Sequence, residues 1–242
     1  MKRWKARVPG FCVVMALAVA PAYADAVADA GTRPAGQPVA VPYGQDQQRT
    51  SRGFDLIRSG KPKQAIAEFD AVIAASEHRH LSDPRPRFCG RVQNDARLRA
   101  GTADAPVLID PAVCDAHFGK GYALIDMGRG DLAEAELRRA MELAPFDAHY
   151  ANEYAELFKS RRDWHTSLAL FTRAWSVVDK NPAGPDAGLA ARALRGIGYN
   201  EMMLGNFDEA ESRFRQSLDF EADSKAARIE LAYIARKKAI GS

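Results

Sequence analysis

Cysteine is scarce in this chain. There are three in 242 residues, and none stands at Cys-x-x-Cys spacing, which removes zinc-ribbon and thioredoxin-like redox sites. No two of its five histidines are separated by three residues, so the helical His-x-x-x-His metal motif is absent. Neither a Gly-rich phosphate loop nor a Gly-x-Ser-x-Gly elbow occurs, so nothing marks nucleotide binding or a hydrolase nucleophile. The longest apolar run, Phe11 to Ala20, has ten residues, half of the about 20 that a membrane-crossing helix needs.

Charge of one sign is lacking too, although the totals disguise it. The chain carries 34 basic and 31 acidic side chains, a formal net charge of +3. Four of the bases (Lys2, Arg3, Lys5 and Arg7) precede the apolar run, and Ala22-Tyr23-Ala24 follows it with small residues where a signal peptidase reads. Residues 1–24 therefore read as an export signal cleaved near Ala24, which predicts a periplasmic or secreted protein. Without them 30 basic side chains face 31 acidic ones, and no global field favours nucleic acid or an anionic membrane. Cys12 leaves with the signal. The remaining pair, Cys89 and Cys114, suits a disulfide in an exported chain, with two unpaired buried thiols as the alternative.

What the chain does have is a period. Gly53, Ala65 and Phe69 recur 68 residues later, twice 34, as Gly121, Ala133 and Leu137. Ala133, Leu137 and Ala140 recur after 34 as Ser167, Phe171 and Ala174, and a fourth copy with Leu194, Gly198, Ala210 and Phe214 follows after 43. Small residues at repeat positions 8 and 20 let two helices approach, and a large apolar residue at position 24 fills the space beside them. A 34-residue period of this kind denotes helix–turn–helix units that bury a core only by stacking.

The punctuation agrees. Residues 25–44, rich in Ala, Gly, Pro and Val, read as a flexible arm before a solenoid over 45–240. Repeat one has helices at about 46–59 and 62–77, broken at Gly60-Lys61-Pro62. Repeat two runs over about 114–147 with its turn at Gly128-Arg129-Gly130-Asp131, where Asp131 and Glu134 suit a capping box. Repeat three covers about 148–181 and turns near Arg161-Arg162-Asp163. A loop at Asn181–Pro185 supplies the nine extra residues before repeat four, at about 191–222 with its turn at Gly205–Asp208. A last helix from about Ser224 to Lys238 would cap the stack through Ile229, Tyr233 and Ile234.

Over roughly residues 46–222 these copies resemble the tetratricopeptide repeat family. The resemblance implies an all-α fold, a right-handed superhelical solenoid of about four helix pairs plus a capping helix. It also implies a binding activity and no reaction, with no cofactor. In that family the first helix of each repeat lines a concave surface. Carried onto this chain, the surface takes Asp115, Phe118, Tyr122, Ile125 and Asp126 from repeat two. Repeat three gives His149, Asn152, Glu156, Lys159 and Ser160, and repeat four gives Arg192, Arg195, Tyr199, Met202 and Met203. Phe118, Tyr122, Asn152, Arg192, Arg195 and Tyr199 form the candidate binding site, suited to an extended peptide with an apolar side chain and a carboxylate. Chaperone-binding members clamp a C-terminal carboxylate with Lys, Asn and Arg. Here Phe118 and Tyr122 stand where a Lys and an Asn would be needed, so that clamp is not expected.

About 34 residues, 80–113, interrupt the repeats and read as an ordered loop with a short helix near Val92–Arg99, tied down if Cys89 bridges Cys114. His78, His80, Asp83 and Cys89 could be drawn as metal ligands, but lack a convergent spacing, and no metal is expected. The function that follows is a protein–protein interaction scaffold with a peptide or protein partner in the cell envelope. The alternative is a small regulatory or inhibitory protein that touches its partner through the insert.

Overall fold

The computed structural model describes residues 44–90 and 106–241. The expected export signal, the expected arm up to residue 43 and the helix expected near Val92–Arg99 lie outside the described residues. Nine helices are described: α1 (Gly44–Arg58), α2 (Pro62–Arg79), α3 (Pro111–Asp126), α4 (Gly130–Leu143), α5 (Ala148–Ser160), α6 (Trp164–Val177), α7 (Ala187–Met203), α8 (Phe207–Phe220) and α9 (Lys225–Gly241). They form four consecutive hairpins and a final helix. Within each hairpin the two helices pack together, and each second helix also packs on the first helix of the next hairpin.

One residue per hairpin turns the chain, and always at the same place in the repeat. Gly60, Gly128 and Gly205 have φ of 69°, 73° and 89°, and Arg162 has 62°. After each, the next N–H reaches back five positions and closes a six-residue turn: Lys61 to the Leu56 carbonyl (2.9 Å), Arg129 to Leu124 (2.8 Å), Asp163 to Phe158 (3.0 Å) and Asn206 to Glu201 (2.9 Å). This is the left-handed closure that satisfies the orphan carbonyls of a helix end. It also corrects the expected capping box. With Gly128 at the left-handed position, Arg129 takes the cap and α4 begins at Gly130. Asp131 falls inside the first turn, where a negative charge still suits the helix dipole, and Glu134 instead reaches across to Arg161 at the end of α5 (2.5 Å).

The repeat signature is the core. Ala65, Phe69, Ala133, Leu137, Ser167, Phe171, Ala210 and Phe214 are all buried. Ser167 fits among the alanines because its hydroxyl donates to the Ala155 carbonyl (3.0 Å) and accepts from the Asn200 side-chain amide (2.9 Å), so that hydroxyl is itself paired. The two Gly-x-Gly pairs divide the labour of close approach. Cβ atoms on Gly121 and Gly198 would meet Leu137 and Phe214 of the same hairpin, at 2.8 Å and 3.1 Å. On Gly119 and Gly196 they would meet Phe69 and Phe171 of the preceding hairpin, both at 2.4 Å. One glycine admits the hairpin partner and the other admits the neighbouring repeat.

Two expectations change. The cap α9 buries Ala227 and Ile234, with Leu231 half-buried beside them, against Met202, Ala210 and Phe214. Ile229 and Tyr233 stay 65% and 38% exposed, because they lie on the opposite side of the helix from the 227/231/234 stripe. The insert is not a plain loop. Residues Arg87–Cys89 (β1) and Val107–Ile109 (β2) form a parallel pair in the register Arg87–Val107, Phe88–Leu108 and Cys89–Ile109. Pro111, with Asp110 accepting from the Ala112 N–H (2.9 Å), then starts α3 three residues earlier than the repeat pattern suggests. Cys89 is bonded to Cys114 in the first turns of α3, with Cα atoms 6.3 Å apart.

Candidate functional site

The first helices α3, α5 and α7 supply all six candidate residues. Each helix is fixed by its neighbours. Asp147 caps α5 through the His149 N–H (2.9 Å), and the packing of α5 and α7 on α6 sets their faces.

Phe118 and Tyr122 sit one turn apart on α3, both half-buried. The Phe118 ring is 4.9 Å from His149 edge-on, 6.0 Å from Phe54 and 6.4 Å from Tyr122. Its inner edge joins Phe54, Tyr150 and Leu137 in the core. What partly covers it is therefore the stack of repeats. The result is an aromatic row, Phe54–Phe118–His149, running across three consecutive first helices, with Tyr122 beside it. Burial, and then the carboxylates of Asp126 and Glu153, hold the Tyr122 hydroxyl above its ordinary pKa.

Asn152 does not belong to a ligand surface. It is fully buried and donates to the Leu189 carbonyl of α7 (3.1 Å), so it pins α5 to α7. The residue that meets Arg192 at this level is Glu153, its side chain only 11% exposed. Arg192 donates to Glu153 and lies 3.9 Å from Glu156. Burial alone would pull the Arg192 pKa down, but these two carboxylates outweigh it and hold it raised. Arg195 is likewise paired, with Glu221 at the end of α8. Tyr199 packs edge-on against Trp164 (6.0 Å) with the Lys159 ammonium 5.5 Å from its ring centre. The six residues thus do not form one cluster: two extend an aromatic row, one is a buried clamp, two are ion-paired arginines and one stacks at the far end. The paired arginines leave little for the carboxylate that a peptide end would bring.

His149, Glu153 and Glu156 follow the i, i+4, i+7 spacing of one helix face, and Asn152 lies about 100° away from Glu153. That spacing in α5 was the available signal for Glu153. The sketched metal ligands are otherwise engaged: Cys89 is in the disulfide, and the Asp83 carboxylate is held by Arg85 at 2.6 Å, well below its usual pKa at about 2. Among the described residues no group of three or more His, Cys, Asp or Glu is placed to hold a metal ion.

No family model and no curated protein matches the sequence. Solved structures do match the fold. PilF from Pseudomonas aeruginosa aligns over 81% of this chain and 69% of its own, with a TM-score of 0.57 at 14% identity. A tetratricopeptide repeat protein from Parabacteroides merdae aligns over 81% of this chain and 60% of its own, at 0.55 and 14%. PilW, a type IV pilus biogenesis factor, aligns over 78% and 68%, at 0.52 and 19%. The fold is that of the tetratricopeptide repeat proteins, an all-α solenoid of stacked helix pairs. Among the described residues no helix is long and apolar enough to cross a membrane.

Proposed function

We propose that this protein is an exported scaffold that binds an extended peptide or partner protein along its first-helix face. The observation that carries the reading is the aromatic row Phe54–Phe118–His149 with Tyr122 beside it, half-open on a surface whose arginines are already paired. Rigid aromatics that already sit in a fixed arrangement lose little entropy on binding and make strong anchors. The preferred ligand is therefore a segment with an apolar or aromatic side chain, and a terminal carboxylate contributes less than the resemblance implied. Export is supported by the basic start, the ten-residue apolar run and Ala22-Tyr23-Ala24. A place in envelope assembly is in keeping with the pilus-biogenesis role that PilW carries. No catalytic role is assigned.

Capture from an envelope fraction, followed by mass spectrometry, identifies the partner. Calorimetry with Phe118→Ala should then show a loss of at least about 2 kcal/mol of affinity, with circular dichroism unchanged. Unaltered affinity would move the contact off this face. N-terminal sequencing of the envelope protein should begin near Asp25, and a retained Met1 would end the export reading.

A further inference from the structure

A second site, on other elements than the first-helix face, lies where the insert meets the solenoid. A cavity of about 230 Å³ opens between α2, the strand pair, α3 and α4. Its floor is apolar, made by Ile73, Ile109, Val113 and Leu143, of which the last three are at most 5% exposed. Its rim carries two guanidiniums, Arg87 from β1 and Arg139 from α4, with the Glu77 carboxylate on the α2 side. Arg139 has only a long contact with Glu142, at 3.7 Å with both side chains about half exposed, which holds it weakly. His117 also lines the cavity. Its Nδ1 is bonded to Glu136 at 2.7 Å, which leaves Nε2 as the ring nitrogen available to the cavity. In the turn after α2, burial first, then Arg87 and Arg79, hold the His80 pKa below its ordinary value, and Asp83 opposes them less. The cavity exists because the disulfide holds β1 against α3, and β1 delivers both Arg87 and the partner strand of Ile109.

An apolar floor beneath two cations asks for one kind of ligand, an aliphatic stem ending in an anion. We propose that this cavity binds a small aliphatic carboxylate, its stem on Ile109, Val113 and Leu143 and its oxygens between Arg87 and Arg139. The shared chemistry can come from a free short-chain acid or from a chain terminus ending in a branched apolar residue, and the test separates them.

The purified protein is titrated by NMR with hexanoate and with N-acetyl-leucine, each beside its neutral counterpart, hexan-1-ol and N-acetyl-leucinamide. Amide shifts of Ile109, Val113 and Leu143 report the floor. A carboxylate that shifts them while its neutral counterpart does not, and that loses affinity about tenfold in Arg139→Gln and in Arg87→Gln, supports the proposal. The tighter of the two acids then names the source. Arg139 lies on an exposed helix face, so that variant keeps its fold even if the Arg87 change disturbs the strand pair. Equal binding of the neutral compounds, or affinity indifferent to both arginines, overturns the carboxylate site, and so does silence from both acids. The readouts here are the floor amides and the two cavity arginines, none of which belongs to the first-helix face, so failure here and failure of that face are told apart.

Discussion

Arg162 occupies in the third hairpin the place that Gly128 holds in the second: both have positive φ, 62° and 73°, and the residue after each closes the same six-residue hydrogen bond. A side chain in this left-handed conformation costs roughly 1–2 kcal/mol. Glycine escapes that cost but loses more freedom on folding. Arg162→Gly should therefore stabilise the protein by about 0.5–1 kcal/mol. Chemical denaturation reads it, and a loss of stability would mean that the exposed arginine does something for the fold that its backbone does not show.

Contacts between repeats have the opposite sensitivity. A methyl group on Gly196 would stand 2.4 Å from the Phe171 ring, which is fully buried and cannot retreat. Gly196→Ala should destabilise by about 1–3 kcal/mol. Gly188, the second residue of the same helix, has nothing within 4 Å of such a methyl. There the alanine should add a few tenths to about 1 kcal/mol through helix propensity. Opposite signs at two glycines of α7 are the result to look for in a thermal melt.

Arginines that look alike in sequence should behave differently when removed. Arg192→Ala strands Glu153, whose side chain is only 11% exposed, and should cost about 1–3 kcal/mol. Arg195→Ala frees Glu221, 41% exposed, and should cost at most about 1 kcal/mol. Equal losses in the two variants would contradict the burial difference between their partners.

Reduction should weaken the fold. Cys89 and Cys114 close a loop with a sequence separation of 25, worth about 3 kcal/mol in the chain-entropy model. Both cysteines are buried, so a reductant should act slowly on the folded protein and quickly once denaturant opens it. Thiol labelling of the denatured, unreduced chain from Asp25 onward should find no free cysteine, and two labelled thiols would remove the bridge.

Much of this architecture is legible in the residues, and the limits of that legibility are geometric. The repeat signature places every turn, at separations of 68, 34 and 43 residues, because the left-handed position keeps its place relative to the small residues of each copy. Gly119 and Gly196 escape notice because their partners, Phe69 and Phe171, belong to the preceding hairpin, and a repeat consensus describes the contacts within one. Asn152 and Glu153 differ by one residue, which on a helix is about 100° of rotation, enough to exchange a buried amide clamp for the carboxylate that pairs with Arg192. The strand pair is invisible because three residues cannot display an alternating pattern, and its two halves are separated by 20 positions.

The bridge has a topological consequence. Because Cys89 and Cys114 lie at the two ends of the excursion, a protease that cuts anywhere between them yields two polypeptides joined by sulfur, not two pieces that separate. Phe69, enclosed by Gly53 on one side and Gly119 on the other, still sits in the joint between the first two hairpins after such a cut. Nicked protein should therefore migrate as one band without reductant and as two with it, while the stack of helices keeps its order.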